Sequence, residues 1–167
     1  MSGGLPFRFL SWYDTKYMYA RRGVVFLARV LAVCTSEKRQ EPKREVPEVR
    51  FVPGGIEGDS HLGVTEREVS LLRAEDIRKA ELEAGFDFPP GSLAENLVIE
   101  GLPEALSLGA RFAVGSSAVL EVVEKGKKAG EPHTYSYKGW CLLPTVGFFL
   151  RVIEGGPAAK GDAVALL

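Results

Sequence analysis

Cysteine and histidine are scarce in this chain. Cys34, Cys141, His61 and His133 are all there are in 167 residues, and no cysteines stand in a C-x-x-C pair. That speaks against a structural zinc site and against a disulfide framework. Long apolar runs are missing too. The longest, Val24 to Thr35, covers 12 residues and is interrupted by Arg29, whereas crossing a bilayer takes about 20. It reads as a strand, and no membrane partner is expected. Residues 1–22 hold no continuous apolar region ahead of a small-residue cleavage site, so no secretory signal is expected and the cytoplasm is the expected compartment. An excess of one charge is likewise absent: the net charge is −1. Residues 1–50 carry ten Lys/Arg against five acids, and residues 51–167 eleven against seventeen. The basic excess of the first part is spread out, so nucleic-acid binding does not follow.

What is present is ordinary globular composition, 46% hydrophobic and 26% charged, in a length that fits one domain with a proper core. Residues 1–22 read as an N-terminal extension. It is dense in aromatics (Phe7, Phe9, Trp12, Tyr13, Tyr17, Tyr19) among Arg8, Lys16, Arg21 and Arg22. From Gly23 to Leu167 short β-branched runs alternate with Gly, Pro and Ser clusters, at intervals too close for successive βαβ units. The pattern predicts strands near 24–34, 48–52, 67–72, 96–99, 111–114, 118–124, 146–153 and 162–166. Ala74 to Ala84 reads as a helix: Ile77, Ala80 and Ala84 share a side, Glu75 and Lys79 are at a supportive spacing, and Gly85 is a stop. A single helical turn is expected at Pro103–Leu106. So many short strands must avoid exposed edges, and closing into a β-barrel does that. The fold expected is therefore mainly β, a closed or nearly closed barrel with one or two short helices. The charged stretch from Ser36 to Pro47 is expected as a long loop over its mouth.

Binding chemistry is most concentrated in Gly54-Gly55-Ile56-Glu57-Gly58-Asp59-Ser60-His61 and the nearby Arg67. Glycines such as Gly58 permit sharp turns and close approach. Asp59, His61 and Arg67 offer an acceptor, a titratable donor and a forked cation. The same run also reads as a surface turn between strands. In Pro90-Gly91-Ser92-Leu93-Ala94-Glu95-Asn96, Ser92 and Glu95 stand at capping-box spacing. Asn96 either makes the local turn or offers its carboxamide to a heterocycle edge such as a pterin. Lys38, Arg39, Lys43 and Arg44 are either solvated surface or, with Arg67, a phosphate site in which Lys43 is the point charge and Arg67 the fork. Cys34 is assigned to packing. Cys141, between Trp140 and Leu142-Leu143-Pro144, is either an inert small hydrophobe or a thiolate able to bind a soft metal or carry sulfur.

Taken in order, these pieces resemble the MOSC domain family, named for the C-terminal domain of molybdenum cofactor sulfurase. The landmarks are Val33-Cys34-Thr35-Ser36 leading to Pro42-Lys43, then Gly58-Asp59-Ser60-His61, Arg67-x-Val69-Ser70-Leu71-Leu72, Pro90-Gly91 and Glu95-Asn96-Leu97. They continue through Leu108-Gly109 and Leu120-Glu121-Val122 to Lys160-Gly161-Asp162-x-Val164, so the resemblance spans most of residues 23–167. It implies a barrel akin to the one inserted in pyruvate kinase, with a pocket for the pterin-based molybdenum cofactor (molybdopterin) or a related sulfur-carrying species. Its implied activity is sulfur transfer or reduction of N-hydroxylated compounds. The pyridoxal-phosphate domain of multidomain sulfurases has no counterpart in these residues. On the cofactor reading Lys43 and Arg67 hold the phosphate and Asn96 the pterin edge, Asp59 and His61 organise the rim with His61 as proton donor, Gly58 and Glu95 are further cofactor-binding candidates, and Cys141 is sulfur carrier or metal ligand. Members of this family usually carry a reactive cysteine in a Gly-Lys-x-Cys context. Here the corresponding run is Gly126-Lys127-Lys128-Ala129-Gly130-Glu131-Pro132-His133, without a thiol, and Cys141 is the candidate substitute.

Two functions therefore compete. One is a cofactor-handling protein, with a protein partner in cofactor biosynthesis or electron transfer. The other is a non-catalytic barrel that binds a partner or a small anionic ligand, with the aromatic extension as a docking arm. The residues alone do not decide whether turnover occurs.

Overall fold

The computed structural model describes residues 17–19, 24–128, 131 and 135–167, with side-chain surroundings from residue 28 onward. Of the expected extension, only Tyr17–Tyr19 fall within these. The rest of the aromatic arm, Ala129 and His133 lie outside the described residues.

Strand β1 (Tyr17–Tyr19) pairs antiparallel with the start of β2 (Val24–Thr35). A two-residue strand β3 (Arg44–Glu45) then folds back on the end of β2. Next come β4 (Glu48–Val52), β5 (Gly55–Ile56), β6 (Val69–Arg73), helix α1 (Ala74–Ala84) and β7 (Leu97–Glu100). The chain continues as β8 (Arg111–Val114), β9 (Ala118–Lys125), the one-turn helix α2 (Leu143–Val146), β10 (Phe148–Glu154), β11 (Gly156–Ala159) and β12 (Ala163–Leu166). Seven of these strands close a barrel in the order β2, β12, β8, β9, β10, β6, β7 and back to β2. Its pairs are antiparallel except β6–β7, which run parallel with Leu71 beside Leu97. Strands β11, β4 and β5 form a small second sheet. Among the described residues no helix is long and apolar enough to cross a membrane.

Alternating side chains fill the barrel: Val30, Val69, Leu71, Leu97, Ile99, Phe112, Leu120, Phe148, Leu150 and Val164 are all essentially inaccessible. A register shift between Val30 and Ala32 in β2 inserts one residue against β7. Since side chains alternate with period two, one extra residue reverses which face each later side chain takes. Accordingly Ala28 and Val30 lie in the barrel core, whereas Ala32 and Cys34 join an outer apolar layer with Leu72, Ile77, Phe88, Leu143 and Phe149. Helix α1 covers that layer with Ile77 and Ala80, carries Glu75 and Asp76 in its first turn, and ends at Gly85 (φ 75°), whose N–H bonds to the Glu81 carbonyl.

One expectation needs correction. Pro103–Leu106 forms no helical turn; the second helix lies at Leu143–Val146. Its Pro144 at the helix start fits the missing N–H of a first turn, but the apolar Leu-Pro-Thr-Val sequence masked it. After Gly155 the chain enters β11 at once: Gly156 and Pro157 pair with Phe51 and Arg50 of β4. A side chain at Gly156 would collide with Ser117, so glycine there reflects close approach as well as turning.

Candidate functional site

The end of β2, the turn after β5 and the connection into β7 meet at one buried carboxylate. Asp59 is 6% exposed. Its Oδ2 accepts hydrogen bonds from Lys43 Nζ at 2.7 Å, the Ser36 N–H at 3.1 Å and Asn96 Nδ2 at 3.1 Å. Its Oδ1 accepts the His61 N–H at 3.0 Å. Burial alone would raise the Asp59 carboxyl. The hydrogen bonds from His61 and Lys43, with the Lys43 charge, overcome that and hold it well below the usual carboxylate range.

Lys43 itself is buried. Its ammonium lies on Asp59, donates to Ser36 Oγ at 3.2 Å and stands 3.3 Å from His61 Nδ1. The Lys43 backbone is equally constrained: its N–H bonds to the Gly91 carbonyl, and a Cβ on Gly91 (φ 84°) would strike the Lys43 carbonyl. Asn96, 2% exposed, has a fully committed carboxamide. Its Oδ1 faces the N–H and hydroxyl of Ser70 at 3.1 and 3.0 Å, and its Nδ2 donates to the Cys34 carbonyl at 3.0 Å as well as to Asp59. Glu95 accepts the N–H groups of Gly91 (2.6 Å) and Leu93 (3.0 Å). Burial pushes its carboxyl up to about 7 against those donors and against the Lys43 charge. The Ser92 hydroxyl, expected to pair with Glu95 as a capping box, makes no hydrogen bond among the described residues. Gly58 is exposed, and its φ of 77° serves the turn.

Beside this network opens a cavity of about 340 Å³. His61, Arg67, Asn96 and Cys141, read separately from the sequence, all line it, together with Arg39, Gln40, Glu41, Thr65, Ser70, Lys127, Glu131 and Tyr135. Leu93, Ala94, Leu143 and Phe149 supply its apolar wall. Lys43, Gly58, Asp59 and Glu95 are not among the lining residues; they form or frame the buried support behind it. Cation character at the cavity thus comes from Arg39, Arg67 and Lys127. Lys127 and Glu131 belong to the run Gly126–His133, where the sequence departs from the pattern it otherwise resembles, and that departure is the signal that could single them out.

Arg67 stacks over the Phe149 ring, 5.0 Å from its centroid. Its Nε and Nη2 bond to the Glu124 carboxylate at 2.6 and 3.0 Å, and Nη2 also bonds to both oxygens of Glu131 at 2.9 and 2.8 Å. Glu124 chiefly raises the Arg67 guanidinium further above its ordinary range. Cys141 is half-buried and free. Burial raises its thiol above the ordinary value, opposed by the Leu143 N–H and the Lys127 charge. Trp140 sits on Phe88 at 5.9 Å, and the Trp140 backbone pairs with Tyr137 through two 2.8 Å hydrogen bonds, fixing the approach to Cys141. Cys34 is wholly buried, and desolvation pushes its thiol far up, in keeping with packing.

No family model matches the chain, and no curated protein matches it significantly in sequence. Its fold is similar to solved structures. The YuaD protein from Bacillus subtilis superposes with a TM-score of 0.70 at 19% identity, over 85% of this chain and 96% of that one. YiiM from Geobacillus stearothermophilus gives 0.62 at 19% identity, over 84% and 75%. YiiM from Escherichia coli gives 0.57 at 20% identity, over 83% and 69%. At these identities the likeness is one of fold.

Proposed function

We propose that the chain is a MOSC-type domain whose cavity takes a phosphorylated, sulfur-bearing small molecule, the pterin-based molybdenum cofactor or a related species. The carrying observation is that Cys141 opens into the same cavity as His61, Arg67 and Asn96, although these residues come from four separate parts of the chain. The closed barrel agrees with the fold that the landmark residues imply. The residues present fit such a group in a particular way. Among the described residues no cluster of three His, Cys, Asp or Glu side chains converges to hold a metal, so a metal here would have to arrive with most of its ligands attached, as one held by a pterin dithiolene does. Cys141 would then be the single protein thiolate, soft enough for that metal.

When bound, the cofactor would supply the redox or sulfur chemistry. The chain's own part is to hold and orient it. Arg39, Arg67 and Lys127 offer charge to a phosphate. Leu93, Leu143 and Phe149 exclude water on one side, and His61, braced by the Asp59 network, offers a proton at the rim. Cys141 must give up its proton to serve. Asn96 contributes through Ser70, Cys34 and Asp59, which its side chain ties together, and Lys43 contributes as the internal partner of Asp59.

A second reading, a non-catalytic barrel that binds a small anion or a partner, is favoured by the lack of a cysteine in the run from Gly126 to His133. One preparation separates the two. Protein purified from a host that makes the cofactor should contain near-stoichiometric molybdenum by elemental analysis and give pterin fluorescence after oxidation, and Cys141→Ser should lose most of the metal. Neither metal nor pterin, under conditions where a cysteine-bearing relative loads, would leave the second reading.

A further inference from the structure

Arg67 is held by two carboxylates that are not equivalent. Glu124 projects from β9, lies outside the cavity lining and takes the Nε–Nη2 edge of the guanidinium as a fork, at 2.6 and 3.0 Å. Glu131 lines the cavity and places both oxygens on the single nitrogen Nη2, at 2.9 and 2.8 Å. Among the described residues Nη1 has no hydrogen-bond partner, so the Nη1–Nη2 edge is only half used. Guanidinium binds oxyanions best through two parallel N–H groups on one edge. Two carboxylates thus share the one guanidinium at a part-exposed site, with Arg67 at 29% and Glu131 at 28% side-chain exposure.

We propose that Glu131 is an internal competitor for the ligand's anion: it occupies the place on Arg67 that an incoming phosphate-type oxyanion takes. This rests on the reading of the cavity as a site for a phosphorylated ligand. On binding, the oxyanion takes Nη1 and Nη2 as a fork while Glu124 keeps Nε, and the Glu131 carboxylate turns out to water. The exchange sets an affinity threshold. Every oxyanion must displace Glu131 first and is weakened by the same factor, so occupancy goes to the ligand that gains most from the Arg67, Arg39 and Lys127 charges, as a doubly charged phosphate does. Glu131 thereby tunes ligand affinity and touches no reacting atom.

The test uses inorganic phosphate as the probe, with acetate for comparison, by isothermal titration at about pH 8. Glu131→Gln should tighten phosphate binding about tenfold and acetate binding by a similar factor, and Glu131→Ala should do the same. Unchanged or weaker phosphate binding in both folded variants overturns the proposal. A measurement on the unaltered protein needs no variant: the Glu131 side-chain carboxyl carbon resonance should move on saturation with phosphate while that of Glu124 stays. A stationary Glu131 signal also overturns it. The outcome is separable from that of the cofactor reading. Metal loading that depends on Cys141 with no Glu131 effect sinks only this inference. A Glu131 effect without metal or pterin sinks only the cofactor assignment.

Discussion

Lys43 and Arg67 look interchangeable in the sequence, two cations near polar turns, and the folded chain gives them opposite tasks. The Lys43 ammonium is 1% exposed and ends on an equally buried Asp59. Arg67 reaches the cavity with its charge shared between two acids. No local pattern announces this, because Glu124 and Glu131 lie 57 and 64 residues away, and Gly91, which crowds the Lys43 backbone, is equally remote in sequence. Removing one partner of a buried ion pair leaves a desolvated charge, at a cost of about 3–5 kcal/mol. Lys43→Met should therefore lower stability in urea unfolding by that order, even when the solution contains no ligand. A loss under about 1 kcal/mol would mean that Asp59 is satisfied by Ser36, Asn96 and His61 alone.

At the scale of elements, what the sequence showed and what it hid follow from length and composition. β2, β4, β8, β9 and β12 were legible to within a residue or two, since each is a β-branched or apolar run between turn signals. β3 and β5, two residues each, exist only through their partners. β11 is Gly-Pro-Ala-Ala and owes its extension to β4. The bulge at Leu31 was also hidden, although it decides that Cys34 faces outward and its carbonyl reaches Asn96. The Pro90–Asn96 connection has its own signature in pH. Its folded shape buries Glu95, whose carboxyl is raised from 4.5 to about 7. A carboxyl raised on folding favours the folded state at low pH. Its contribution is complete below about 4.5 and is lost as pH rises through about 7. The stability advantage of the natural protein over Glu95→Gln should thus shrink between pH 5 and pH 8, on the order of 2–3 kcal/mol. Chemical unfolding of both at several pH values measures it, and a constant gap would show that the two backbone N–H donors keep Glu95 ionised throughout.

For the molecule as a whole, closing the barrel pairs strands distant in the chain, among them β2 against β7, with Val30 beside Ile99 and Val33 beside Leu97. Asp59 spans the end of that pairing, tying Ser36 just past β2 to Asn96 just before β7, and the cavity opens alongside it. The knot works as a clasp on the closure of the whole cylinder. Occupancy of the cavity is thereby coupled to opening of the barrel, and a ligand that binds only the closed form raises the unfolding temperature in proportion to the logarithm of its excess over its dissociation constant. If the cavity takes the phosphorylated ligand proposed for it, a melting-temperature survey of phosphorylated heterocycles should show an upward shift, whether or not any reaction follows. If Arg67→Gln abolishes the upward shift while Arg151→Gln, on the outer wall of the barrel, leaves it intact, the signal comes from the cavity and not from general stabilisation.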